Sequence, residues 1–319
     1  MDENGSNSSQ LTRNKERGIS VCQDTLCVFT FVLFFITIAL IVILNSVCLV
    51  VLRKVRGIPE TTKLFMMSLT LSDLCTGMFY GIPILYYFMS TSSITSATYC
   101  KILPFIIITL VTINASSMVM LTIDRFLAIT YSLHYPRLMT LKRSKVMVTL
   151  VWTLTLVIYS ACFYILDRSR HKEMSNKHVF LCGTQSNLML FLFIAITVVS
   201  LGTILTLYAY ILKVARCQAR LIAAQNILGN IEGRQNVPGP ISTKSATTVI
   251  IITGTACLCW IPLIITASLL LGNITGPTSI YLIANTLFSS NCWLNCIIYY
   301  WRNREFRQTL HNFRSSCCH

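Results

Sequence analysis

Seven stretches of the chain run almost without charge, at residues 28–52, 62–89, 99–130, 146–166, 187–213, 246–271 and 279–301. Each is near or above the roughly 20 residues that cross the hydrocarbon of a bilayer. Backbone N–H and C=O groups in lipid have to be satisfied within the element itself, so each stretch is expected to be a helix. Prolines 83, 104 and 262 fall inside these spans and are expected to kink them. Beyond the last span, Phe306, Leu310 and Phe313 recur at i, i+4 and i+7 with arginines on the other face. That spacing predicts an amphipathic helix lying along the inner leaflet. The expected fold is an all-α membrane protein: a polar tail over 1–27, a seven-transmembrane helix bundle over 28–301, and a short amphipathic eighth helix with its tail over 302–319.

Composition agrees with the pattern. Of 319 residues 54% are hydrophobic and 12% charged, and the mean hydropathy is +0.65. A soluble domain this apolar lacks the polar surface to cover itself. The net charge of +15 would suit nucleic acid if it formed a stripe, but it gathers in alternate loops and in the tail, which is membrane topology. The loops after spans one, three and five, with the tail, hold 17 Lys and Arg; the opposite side holds 8. The positive-inside rule then places the N-terminus outside the plasma membrane and the C-terminus in the cytosol. The first 27 residues carry no cleavable signal pattern, so the first span is expected to direct insertion. Asn4, Asn7 and Asn273 head glycosylation triplets on the outer side. Most of the 14 cysteines are expected to be small buried side chains. Cys100 and Cys182 lie at span edges on the outer side and could form a disulfide. The adjacent Cys317 and Cys318 suit palmitoylation, or remain unmodified.

Within the spans two acids stand out. Asp124 adjoins Arg125 where the third span ends. Charges bordering a membrane helix either anchor it at the interface or mark function. Asp73 is deep in the second span, and a carboxylate there needs a proton, a cation or hydrogen-bond donors. Its expected partners are Asn45, Asn114, Asn291 and Asn295. No cofactor is required, but such a ring suits a sodium ion at Asp73; the alternative is a hydrated polar network that holds helices together.

One marker per span resembles the rhodopsin-like (class A) G-protein-coupled receptors over about 28–314: Asn45; Leu69 with Ser72-Asp73; Asp124-Arg125-Phe126; Trp152; Tyr208; Cys259-Trp260-Ile261-Pro262; and Asn295-Cys296-Ile297-Ile298-Tyr299. The Cys100–Cys182 pair matches that family's outer disulfide. The resemblance implies that Asp124 restrains Arg125 at rest and releases it to a heterotrimeric G protein, with Tyr208 and Tyr299 turning inward and arrestin as a further partner. It implies that Trp260, beside the Pro262 kink, transmits ligand binding to outward motion of the sixth span. It also implies a sodium and water site at Asp73, Asn114, Asn291 and Asn295. The stretch 291–309 looks like adenosine receptors, while the missing proline of span five and Leu138-Met139-Thr140 look like the melanocortin and cannabinoid branch.

Departures from the family pattern are Cys296 for a proline, Ser200 where span five has one, Ala256 for an aromatic, and Phe126 for a tyrosine. An acid at the foot of span six, between Ser242 and Thr247, is also absent. Each weakens a resting lock or a kink, so elevated basal activity is expected. Ile107 stands where amine receptors carry an aspartate, which leaves a cationic amine without a counter-ion. The remaining side chains expected to face a ligand are Ile108, Val111, Thr112, Leu192, Ile196, Leu263, Ile264, Ala267, Tyr281, Asn285 and Ser289. That wall favours a lipid or hydrophobic small molecule. The alternative is a peptide, nucleoside or anionic ligand held by loop residues such as Arg168, Arg170, His171 and Lys172. No catalytic motif is present, so an enzyme is not expected. A transporter would need broken helices and a more polar lining.

Overall fold

The computed structural model describes residues 25–89, 94–169, 187–232, 243–274 and 276–317. Among these residues every extended element is a helix. In chain order they are α1 (Thr25–Lys54), α2 (Glu60–Thr76), a π-turn (Gly77–Gly81), α3 (Ile82–Met89), α4 (Ile94–Thr130), α5 (Tyr135–Leu138), α6 (Leu141–Ser169), α7 (Asn187–Glu232), α8 (Thr243–Leu271), α9 (Thr278–Arg302) and α10 (Arg304–Cys317).

Six of the predicted spans each fall inside one of these helices, and the second, 62–89, is divided among α2, the π-turn and α3. The helices run a few residues past the apolar limits. The clear exception is α7, which continues to Glu232 rather than stopping near 213. The segment 214–232, beyond the apolar span that ends at 213, is rich in Ala, Leu, Arg and Gln and has no proline, so the helix propagates through it. Among the described residues five helices, α1, α4, α6, α7 and α8, are long and apolar enough to cross a membrane. The α2–α3 unit and α9 are more polar because they carry the buried acid and amides, among them Asp73, Asn285, Asn291 and Asn295.

Local chemistry sets the ends. Pro59 precedes α2 and Pro277 precedes α9, where a missing N–H costs nothing. Asn303 breaks the chain between α9 and α10: its backbone is extended, and its Oδ1 accepts the Phe306 N–H at 3.2 Å. Arg307 closes the C-terminus of α9 by donating to the Trp301 carbonyl at 2.6 Å. Arg143 does the same for α5, donating to the carbonyls of Arg137 and Leu138 at 3.0 and 2.9 Å.

The second span passes through the π-turn. Pro83 has no N–H to give the preceding turn, and Gly77 and Gly81 let α1 approach closely. A Cβ on Gly77 would lie 2.8 Å from Ile41 Cγ2. Helix α4 is central, packed on α2, α6 and α7, while α9 packs on α1 and α8. The largest core cluster joins α4, α7, α8 and α9 around Val111, Met118, Tyr208, Trp260 and Phe288. Outer faces expose Phe29, Ile43, Val157, Ile165, Val199 and Leu258 over more than half their area. Soluble monomers rarely show such contiguous apolar surface, and lipid is the solvent it suits.

Candidate functional site

Polar residues gather at two levels of the bundle. The first surrounds Asp73 in α2, which is fully buried. Asn114 of α4 donates its amide to Asp73 Oδ1, and Asn295 of α9 donates to Oδ2 at 3.2 Å. The carboxylate therefore joins three helices. Two of the expected amides do not reach it. Asn291 turns its Nδ2 to Met118 Sδ at 3.7 Å. Asn45 is occupied with α1 and α9, donating to the carbonyls of Ile41 and Cys292 at 3.0 and 3.3 Å and accepting from Cys296 Sγ at 3.2 Å. Both are corrections to the sequence expectation. An amide can serve its own backbone or a sulfur as readily as a distant carboxylate, and composition does not reveal the choice.

The second level is at the end of α4. Asp124 is fully buried and takes three donors. Thr62 Oγ1 donates at 2.7 Å, Tyr135 OH at 2.6 Å, and Arg125 Nη2 lies 3.1 Å away. The Arg125 side chain is 41% exposed while its partner has no exposure at all. The pair is thus lopsided: the acid is fixed and dry, and the base reaches into open space. Thr61 Oγ1 lies 2.9 Å from the same Tyr135 hydroxyl and positions it. Burial, reinforced by the bond to Asp124, raises the Tyr135 phenol above its ordinary range. The hydroxyl therefore stays protonated, and so a donor, well into alkaline pH. Sequence reasoning missed Thr62 and Tyr135. Pro136, at the start of α5, is the one local signal for the turn that delivers Tyr135.

Between the two levels, Tyr208 and Tyr299 are both turned in and buried. Tyr208 sits beside Thr122 and within electrostatic reach of Arg125. Tyr299 OH has no hydrogen-bond partner among the described residues. A space of about 20 Å³ separates these groups, walled by Tyr208, Tyr299, Asn295 and Thr122. Nearby, Trp260 packs edge-on against Phe288 with ring centroids 5.6 Å apart.

Toward the opposite end stand the residues expected to face a ligand. Val111 and Ala267 are buried in the main core, with Ile107, Ile108 and Leu263 packed against it. Leu192, Ile196 and Ile264 are partly buried. Of the few hydroxyls and amides, Thr112 and Asn285 are already engaged. Thr112 pairs with Tyr159 of α6 at 3.1 Å, so it points toward α6. Asn285 accepts from Tyr80 OH at 2.8 Å and donates to the Tyr281 carbonyl. Ser289 is fully buried, and its Oγ is unpartnered among the described residues. Tyr80 and Tyr159 were not anticipated. Trp152 donates to Ser68 Oγ at 3.0 Å, and Ser68 lies 3.1 Å from Ser117 Oγ, a seam joining α2, α4 and α6.

The Cys100 side chain and Cys182, expected to pair, lie outside the described residues, as do Asn4, Asn7, Cys318 and the side chain of Cys317. Cys27, at the start of α1, is disulfide-bonded, a bond the sequence reading did not assign. Asn273 closes α8 with a left-handed backbone, φ 57°.

The helices form a multi-pass bundle with a buried carboxylate network around Asp73 and a half-exposed arginine at the end of α4. The chain belongs to the 7 transmembrane receptor (rhodopsin family), which it matches over residues 44–299. Family membership makes it a G-protein-coupled receptor, a receptor rather than an enzyme. It is similar to the histamine H2 receptor of Canis lupus familiaris, 27% identical over 291 residues, covering 90% of this chain and 78% of that one. It is likewise similar to G-protein coupled receptor 52 of Mus musculus, 21% identical over 300 residues with 92% and 83% covered. Melanocortin receptor 4 of Danio rerio is 25% identical over 211 residues with 63% and 55% covered.

Proposed function

We propose that the chain is a plasma-membrane receptor, N-terminus outside, that turns binding of a hydrophobic extracellular ligand into G-protein activation through outward motion of α8. The observation that supports this most is the uneven Asp124–Arg125 pair. Its acid keeps two neutral donors when the arginine leaves, so release does not strand a buried charge. The departing guanidinium then meets the G protein, with Tyr208 and Tyr299 beside it. Leu133, 90% exposed between α4 and α5, offers an apolar contact at the same mouth. Arrestin is expected to use the same surface. The test is Arg125→Ala in cells carrying a panel of chimeric G proteins. Coupling should vanish while surface expression persists; unchanged coupling refutes the assignment, and intact solute flux would favour a transporter.

Similarity to a histamine receptor raises the question of an amine ligand. Ile107 supplies no carboxylate, and Asp73 and Asp124 are already bonded within the bundle. The apolar wall, with Thr112 and Asn285 engaged elsewhere, supports a lipid or hydrophobic molecule instead. A screen of lipid, nucleoside and peptide libraries distinguishes this from a ligand held by the loops. A nanomolar response to a charged amine would overturn it.

Sodium fits at Asp73 in part. The carboxylate and Asn114 Oδ1, which has no partner among the described residues, are hard oxygen donors of the required kind. Asn295 would steady the carboxylate, and Asn291 would not take part. We further assign Asn4, Asn7 and Asn273 as glycosylation sites, Cys317 and Cys318 as palmitoylation sites, and Cys100–Cys182 as an outer disulfide, each testable by mass spectrometry.

A further inference from the structure

A groove of about 210 Å³ lies where α1, α9 and α10 meet. Val47 and Cys48 of α1, Cys296 and Tyr300 of α9, and Phe306 and Leu310 of α10 line it. Its origin is legible in the residues. Cys296 stands next to Cys48, so two small side chains face each other across the α1–α9 seam. Phe306, buried beneath them, closes the floor. The lining is almost wholly hydrocarbon and sulfur, and one side opens beside Val47, which faces lipid. Ligand sites for drug-sized molecules run to about 300–1,000 Å³. This space is narrower, and suits a single hydrocarbon chain.

Charge at the rim narrows the choice of chain. Arg53, Lys54 and Arg56 are exposed at the end of α1, and Arg302, Arg304 and Arg307 at the junction of α9 and α10. Lys54 follows Val47 by seven residues, two helical turns along the same face. Arg307 is held at the groove edge, its Nη1 2.6 Å from the Trp301 carbonyl and 3.4 Å from that of Tyr300, with further N–H groups to offer. Two acids stand nearby, Glu60, paired with Lys63 at 2.7 Å, and Glu305, which lies against Gly57, so the six basic groups keep a net positive charge. Basic clusters just beyond a membrane helix and on an amphipathic helix match acidic headgroups. A sterol or a zwitterionic lipid brings no net negative charge to match it.

We propose that the groove binds one acyl chain of an anionic phospholipid, whose phosphate is held by Arg307 and the basic end of α1. The chain wedges the seam where Cys296 bonds Asn45, three residues before Tyr299. The site rests on α1 and α9 crossing the bilayer with the arginine mouth in the anionic leaflet, and not on G-protein coupling, so its test reads lipid binding alone.

The full chain is purified into phosphatidylcholine nanodiscs containing a little phosphatidylserine with a photoactivatable diazirine in one acyl chain. Adducts are mapped by peptide mass spectrometry. They should fall on segments 44–48 and 296–300 and be displaced by unlabelled phosphatidylserine but not by phosphatidylcholine or cholesterol. Lys54→Gln combined with Arg307→Gln should lower them about thirtyfold, the worth of two near-surface charges. Val47→Trp, at a position already facing lipid, should block them without changing thermal unfolding. Equal displacement by phosphatidylcholine, displacement by cholesterol, or adducts seen only after Cys317→Ser with Cys318→Ser, which would mean the chain's own acyl groups fill the groove, each overturns the proposal.

Discussion

Replacing Tyr135 with phenylalanine tests how the arginine is released. The change removes one hydroxyl, which donates to buried Asp124 at 2.6 Å. A hydrogen bond to a charged group contributes about 1.5–3 kcal/mol. While Arg125 stays in place, the carboxylate still has the guanidinium and Thr62. Once Arg125 swings away, only Thr62 remains, so the loss weighs most on the released state. Each 1.4 kcal/mol is tenfold in an equilibrium, so the released fraction should fall about tenfold or more. Ligand-free nucleotide exchange on purified G protein, at matched receptor concentration, measures this. Asp124→Asn abolishes the charge, so Tyr135→Phe in that background should change exchange little, and a double-mutant cycle isolates the coupling. Unchanged or increased exchange in the single Tyr135→Phe variant would refute the standby-donor reasoning.

Three further outcomes are expected. Asp73→Asn should abolish any sodium sensitivity of agonist affinity, read by binding in sodium against choline salts. Gly77→Ala should destabilise the chain by about 1–3 kcal/mol through overpacking against Ile41, seen as lower thermal stability and surface expression. Trp152→Phe should cost about 1 kcal/mol by removing the bond to Ser68, a fall of a few degrees in a thermal-shift assay, with coupling retained.

The spans were legible because lipid imposes a long, uninterrupted apolar signal, and Asp73 and Asp124 stood out against it. Their partners were legible only in part. Asn114 and Asn295 are the expected donors, yet Asn291 and Asn45 have the same chemistry and face elsewhere. Thr62 lies 62 residues from Asp124, and only helix packing brings them together. The length of α7 was misjudged because hydropathy marks where lipid ends, not where a helix does. The π-turn hid behind Gly77 and Gly81, residues that signal close approach without saying which hydrogen-bond pattern results.

That turn has a bearing on how the gene can tolerate change. A π-turn holds one residue more than the α-helical path needs, so removing a single codon within 77–81 would let the hydrogen bonds re-form in the ordinary pattern. The unit from Glu60 to Met89 would still be about 43 Å long at 1.5 Å per residue, ample for the hydrocarbon layer. Because the wider turn has already absorbed the extra residue, α3 beyond the deletion would keep the face it now presents to its neighbours. The change would be confined to the turn itself, where Tyr80 meets Asn285. A lost residue here would spare both membrane insertion and the packing of the outer half of the span.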